Sequence, residues 1–294
     1  MLMNRKTIQK RKAVTIAAWV LILPSFLFLC AFTLYPIVQT LFSSLYSESL
    51  SNVHATFAGL QNYADLFQDD VFRRSFWNNL IVAAVTIPVE ILFATAMAVF
   101  ANSVKHGRWL VRLAFFYPVI LPMIAAANIW LFIYTPQYGL VGMLNSNWNL
   151  LGNPQTVLPA IIVMLIWKQS GYFMVFYLSG LQNIPAEVYE AAKIDGAGDF
   201  RIFRSITWPL LKPITLFAFI IALTDSYKMV DYLYLMTDGG PNNSSNMLLY
   251  YVYQTGFNFW DIGKASAITG ILVILLLAVS AASFFRQDKR IFYS

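Results

Sequence analysis

The sequence predicts an all-α integral membrane protein with six transmembrane helices and both termini in the cytoplasm. Three observations carry this. The 294 residues are 59% hydrophobic and only 12% charged, with a mean hydropathy of +0.60, whereas a soluble domain is about 25% charged. Six windows reach the roughly 20 apolar residues needed to cross a hydrocarbon core about 30 Å thick. The Lys and Arg residues gather in the loops on one side of those windows. The alternation of apolar and polar residues that marks β-barrel strands is absent.

The first window, Val14–Leu34, is uncharged and follows Arg5, Lys6, Lys10, Arg11 and Lys12. A basic stretch before an apolar run is also the layout of a signal peptide. This run is too long, and no small-residue cleavage site follows, so an uncleaved helix is expected. Bulky Leu29 before Cys30 argues against lipoprotein processing. Cys30 is the only cysteine, so no internal disulfide can form. The segment from Ser47 to Asn79 is polar and too short for a domain of its own. Within it, Gly59-Leu60-Gln61-Asn62-Tyr63 predicts a tight turn into a short amphipathic helix carrying Leu66 and Phe67.

The second window, Leu80–Phe100, holds a lone Glu90 beside Pro88, and the third, Leu113–Tyr134, is uncharged. The loop from Thr135 to Thr156 has no charged residue. The fourth window, Val157–Tyr177, contains Lys168, and the fifth, Ile214–Met236, contains Asp225, Lys228 and Asp231. Asp238-Gly239-Gly240-Pro241 then stops the helix and turns the chain. Aromatics from Tyr250 to Trp260 suit a membrane interface. The sixth window, Ala265–Phe285, is uncharged and is followed by Arg286, Lys289 and Arg290. Prolines in the windows are tolerated because neighbouring helices satisfy the backbone groups they free. Ala94 and Ala98 allow close helix approach.

A net charge of +6 invites a nucleic-acid partner, but its placement excludes one. Fifteen of the 20 Lys and Arg lie at the two termini, between windows two and three, and between windows four and five. The opposite loops hold only Arg73, Arg74 and Lys264. The positive-inside rule puts the basic side in the cytoplasm. His54 and His106 fall in loops on opposite sides and cannot share a metal. Gly263-Lys264 is no phosphate-binding loop, because Asn258 and Ala265 stand where that loop needs Gly and Ser or Thr.

The basic loop from Asn183 to Pro213 carries the most information. Pro185 suits the first turn of a helix, and Glu187 and Glu190 favour its positive end. Tyr189, Ala191 and Ala192 give it a narrow face. Gly196 can take positive φ and end it. Asp199 is expected to cap a second short helix with Phe200, Phe203 and Ile206, which Pro209 ends. The result is a helix-turn-helix knob.

Glu190-Ala191-Ala192, Gly196 after three more residues, Ile206 after nine, and then Trp208-Pro209 resemble the EAA loop of ABC-type importer permeases. Trp208 stands where that family usually has Leu. Asp195-Gly196-Ala197-Gly198, Pro209-Leu210-Leu211 with Pro213, Gly239-Gly240-Pro241 and Asp261 to Ala267 are similar to the carbohydrate branch. The resemblance covers nearly the whole chain. It implies a type I ABC importer transmembrane domain that binds no nucleotide or other cofactor and is not an enzyme. It implies a second permease subunit, two ATPase subunits that bind the ATP, and an extracytoplasmic substrate-binding protein. Residues 1–75 would form the basic tail, first helix and outer loop. Residues 76–290 would form the transmembrane core, with the coupling loop at 185–213. Glu190, Ala191, Ala192, Asp195, Gly196, Ile206 and Pro209 would couple to the ATPase, and Glu190 would face one of its basic residues.

Substrate-path residues are expected on the helices flanking that loop. Trp167, Lys168, Gln169 and Tyr172 combine ring faces with hydrogen-bonding groups, as sugar sites do. Asp225, Lys228 and Asp231 share one arc of a helix. Each would cost about 2.5–3.5 kcal/mol facing lipid, so they should face inward, either paired as an internal salt bridge or bonded to substrate. In maltose-type relatives the sugar site lies on these two helices. The resemblance places its aromatic at Tyr172 and its polar positions near Asp225 and Lys228. A neutral oligosaccharide fits first. The two lysines keep an anionic substrate open, such as a uronate oligosaccharide or a glycerol phosphate. An ion-coupled secondary transporter using Glu90 or Asp225 is the remaining alternative, without the internal repeats that would support it.

Overall fold

The computed structural model describes residues 5–49, 52–228 and 230–288. Lys289 and Arg290 lie outside them. Helix α1 (Arg5–Leu29) runs through a π turn at Cys30–Leu34 into α2 (Tyr35–Ser43). The most apolar stretch of Ala17–Ser43 has no residue buried within this chain. Such an apolar surface needs lipid or another subunit to cover it.

Strands β1 (Tyr46–Ser49) and β2 (Asn52–Phe57) follow as an antiparallel hairpin pairing Tyr46 with Phe57 and Ser47 with Thr56. The sequence reading expected no strands here. β1 is four residues long with no alternation, whereas β2 alternates Val53, Ala55 and Phe57 with Asn52, His54 and Thr56, a period-2 signal in a run of only six residues that the sequence reading passed over. The expected turn and helix are present. Gly59 takes φ +59° and leads into α3 (Gln61–Gln68), which buries Leu66 and exposes Phe67. Helix α4 (Asp70–Ser103) starts at Asp70 rather than Leu80 because Asp69 caps it. The Asp69 carboxylate accepts from the N–H groups of Val71 at 2.7 Å and Phe72 at 3.1 Å.

The third window is not one straight span. It divides into α5 (Arg108–Ile120) and α6 (Met123–Tyr134), which meet at 95°. Pro122 forces the break: it has no N–H to continue the helix, and Leu121 before it is held extended at ψ 135°. The short α7 (Leu140–Leu144) leads to α8 (Val157–Gln182). After the helices α9 (Ala186–Ile194), α10 (Asp199–Ile202) and α11 (Trp208–Leu210) comes α12 (Lys212–Lys228). The fifth window is also interrupted, since α12 ends at Lys228 and α13 (Asp231–Met236) is separate. Helices α14 (Leu248–Tyr253) and α15 (Ile262–Asp288) complete the fold. Among the described residues, four stretches are long and apolar enough to cross a membrane, and up to six are if each bent pair counts as one span.

Helices α4 and α8 form the centre. Ala94 and Ala98 are fully buried, so the small residues lie where the helices meet. On α8, a Cβ at Gly171 would sit 2.1 Å from the Phe115 carbonyl oxygen, so α5 crosses in backbone contact. Helix α15 closes against the N-terminal segment through a second glycine. A Cβ at Gly263 would lie 2.3 Å from the Tyr46 carbonyl oxygen. Beside it, Lys264 forms an ion pair with Asp69 and lies 5.6 Å above the Tyr251 ring. Tyr251 donates to the same carboxylate at 2.6 Å. Burial pushes the Asp69 carboxyl up, but the bonds from Lys264, Tyr251 and the Phe72 N–H outweigh it and leave it below its ordinary value.

Candidate functional site

The knob after α8 is built from its base upward. A Cβ at Gly180 would lie 2.0 Å from Ile214 Cδ1, so α8 and α12 converge tightly there. Leu211, Thr207, Ile202 and Ala192 are buried and anchor the knob. Pro185 precedes α9 as its N-cap residue. Helix α9 ends as expected at Gly196, with φ +75°. The Ala197 N–H donates to the Ala192 carbonyl and the Gly196 N–H to the Lys193 carbonyl, both at 3.0 Å. This paired closure is a Schellman motif, with Asp195 as the C-cap.

Two local expectations are corrected. Gly198, not Asp199, is the N-cap of α10, and Asp199 sits in the first turn without a side-chain cap bond. Pro209 does not end the second helix. The chain passes through a π turn at Phe203–Thr207 into α11, where Pro209 occupies the first turn and needs no N–H partner. The turn then breaks at Leu211, and Asp199–Leu210 meets α12 at 64°. Tyr189 ties α9 to the π turn through its hydroxyl, 3.4 Å from Thr207 Oγ1.

The tip is exposed. Glu190, Ala191, Asp195 and Gly196 face outward, while Ile206 and Pro209 are half-buried. Two large apolar residues of the same loop are also exposed, Ile194 at 86% and Phe200 at 75%, the latter opening onto a cavity lined by Leu92 and Phe100 of α4. A surface of this kind is unusual on an isolated loop and characteristic of a contact site.

The expected substrate-path residues separate into groups. Gln169 and Asp225 line a common cavity of ≈ 20 Å³ with Thr86, Glu90, Ser226 and Tyr232. Lys168 is buried elsewhere and donates to the Val119 carbonyl at 3.0 Å, beside the α5–α6 break. Trp167 packs edge-on against Trp130, with ring centroids 5.6 Å apart. Tyr172 belongs to an aromatic cluster with Phe173 and Phe176, which continues to Phe217. Lys228 and Asp231 are exposed, and neither Asp225–Lys228 nor Lys228–Asp231 forms an ion pair among the described residues. The break at Val230, which is non-helical at φ −125°, takes Asp231 off the helix that would have aligned it. The sequence reading leaves the role of Glu90 open between a pathway residue and a bond to a neighbouring helix. Its signal was a lone acid in an apolar window, which alone names no partner.

A family model described as binding-protein-dependent transport system inner membrane component matches residues 90–293. The sulfoquinovosyl glycerol transport system permease protein SmoG of Agrobacterium fabrum is 34% identical over 273 residues, covering 90% of this chain and 88% of that one. The trehalose/maltose transport system permease protein MalF of Thermococcus litoralis is 31% identical over 285 residues, covering 92% and 94%. The sn-glycerol-3-phosphate transport system permease protein UgpA of Yersinia pestis is 29% identical over 283 residues, covering 94% and 95%. A solved bacterial alginate ABC transporter, in complex with an alginate pentasaccharide-bound periplasmic protein, shares the fold. Its TM-score is 0.83 at 19% identity, covering 95% of this chain and 96% of that one. The chain thus belongs to the inner-membrane permeases of binding-protein-dependent ABC importers, in their carbohydrate branch, and is a multi-pass transport subunit rather than an enzyme.

Proposed function

We infer that this permease moves a sugar or oligosaccharide, delivered by an extracytoplasmic binding protein, across the cytoplasmic membrane. It pairs with a second, different permease, and two ATPase subunits dock on the α9–α11 knobs and supply the energy. The carrying observation is the tip of the knob. Ile194 and Phe200 are left exposed on the same loop as Glu190, whose base is fixed by Gly180, Leu211 and the Schellman closure. Burying two such side chains gains about 1.5–3 kcal/mol each, enough to reward a partner groove. A rigid base lets displacement of that partner reach α8 and α12, which hold Gln169 and Asp225.

The basic residues support the orientation. Lys193, Arg201, Arg204 and Lys212 lie on the knob itself, and eight more Lys and Arg flank the first and last windows, a distribution that supports a cytoplasmic knob and cytoplasmic termini. A second reading, an anionic substrate, is favoured by the sulfoquinovosyl glycerol and glycerol-3-phosphate named for two relatives.

The test is ATP-driven uptake in cells or proteoliposomes. Glu190→Lys should abolish uptake while insertion and folding stay normal. Wild-type uptake by that variant contradicts the coupling role.

A further inference from the structure

Glu90 lies on α4 beside Pro88, is 4% exposed, and has no hydrogen-bond or ion-pair partner among the described residues. Its side chain lines the ≈ 20 Å³ cavity with Gln169 of α8 and with Asp225 and Ser226 of α12. Three helices thus bring two carboxyls, one amide and hydroxyl groups to one space. No Lys or Arg is among the lining residues. Lys168 is engaged by the Val119 carbonyl, and Lys228 is exposed at the end of α12. The lysines that kept an anionic substrate open are therefore not the groups that line this cavity.

We propose that Glu90 is a specificity-determining residue of the translocation path, forming with Asp225 a carboxyl pair that receives hydroxyl groups of an uncharged saccharide and rejects anionic ones. This rests on the permease function argued above. Carboxyl oxygens accept and sugar hydroxyls donate. A buried carboxyl without a donor is costly, so a polyol entering the path supplies the donor that the Glu90 carboxyl lacks among the described residues. A uronate, phosphate or sulfonate would instead bring a full charge into a buried space with no Lys or Arg in its lining to pair it, which is far more costly than burying a hydroxyl. The cavity has room for about one water. A sugar ring therefore meets Glu90 only as α4, α8 and α12 move apart.

The test uses the complete importer, purified with its ATPase subunits in detergent, and two probes: maltotriose and trigalacturonate. Dissociation constants are read by saturation-transfer NMR. Wild type should bind maltotriose at least about tenfold more tightly than trigalacturonate. Glu90→Ala should weaken maltotriose about tenfold. Glu90→Gln, which keeps an acceptor and the shape, should hold maltotriose within about threefold and tighten trigalacturonate, further so with Asp225→Asn. Trigalacturonate binding as tightly as maltotriose, binding of neither probe, or no effect of either Glu90 variant overturns the proposal. Co-purifying ATPase reports assembly for each variant. A wild-type chain that recovers no ATPase refutes the permease reading itself, whereas trigalacturonate preference in an assembled importer refutes only the role of Glu90.

Discussion

Asp69 ties three segments of the chain together. It caps α4, accepts from Tyr251 at 2.6 Å and pairs with Lys264. Asp69→Ala removes a cap worth about 0.5–2 kcal/mol and leaves Lys264 half-buried without its acid. The thermal midpoint in detergent should fall clearly, and Asp69→Asn, which keeps a capping acceptor, should fall less. The pH dependence has a definite sign. The folded carboxyl lies below its ordinary 3.8, so its contribution is complete above that value and fades as pH falls through the folded value. The wild-type midpoint should drop in that acid range by more than the Asp69→Asn midpoint does. This cluster was not legible in the sequence, because the partners of Asp69 lie 182 and 195 positions away. The end of α9 beyond Glu190 was legible, because Gly196 sets it within one loop.

At the level of elements, local chemistry was readable wherever one residue decides the backbone. Gly59 and Gly196 take the positive φ their turns need, and the amphipathic helix with Leu66 forms as expected. What escaped was set by packing or by a neighbour. The β1–β2 hairpin depends on the pairing of two short runs, of which only β2 alternates, and the bend at Leu121–Pro122 divides a window that composition alone reads as continuous. The end of α12 at Lys228 scattered Asp225, Lys228 and Asp231, so that only Asp225 lines the polar cavity. Two substitutions test the elements. Gly196→Val forces a branched side chain into φ +75°, at a cost of about 1–2 kcal/mol or more. It should reduce ATPase recovery and uptake together while the membrane yield is unchanged. Gly263→Ala puts a methyl against the Tyr46 carbonyl. It should lower the thermal midpoint of the whole chain without touching the knob.

Across the whole molecule, the proposed point of energy input and the proposed substrate contact lie apart but share two helices. The knob projects from the junction of α8 and α12, and the same two helices carry Gln169 and Asp225 into the cavity with Glu90. The six apolar windows and the charge asymmetry announced a membrane bundle. The sharing of helices between knob and cavity needed the structure. The proposed topology makes a labelling prediction. In a Cys30→Ser background, cysteine at position 190 should react with an impermeant maleimide only after the membrane is opened, and cysteine at position 243 should react from outside. The most direct measurement of the central claim is co-purification of an ATPase with the affinity-tagged chain, compared between wild type and Glu190→Lys. The account predicts an ATPase recovered with wild type and lost with the variant at equal permease yield. Equal recovery with both, or none with wild type, would contradict it.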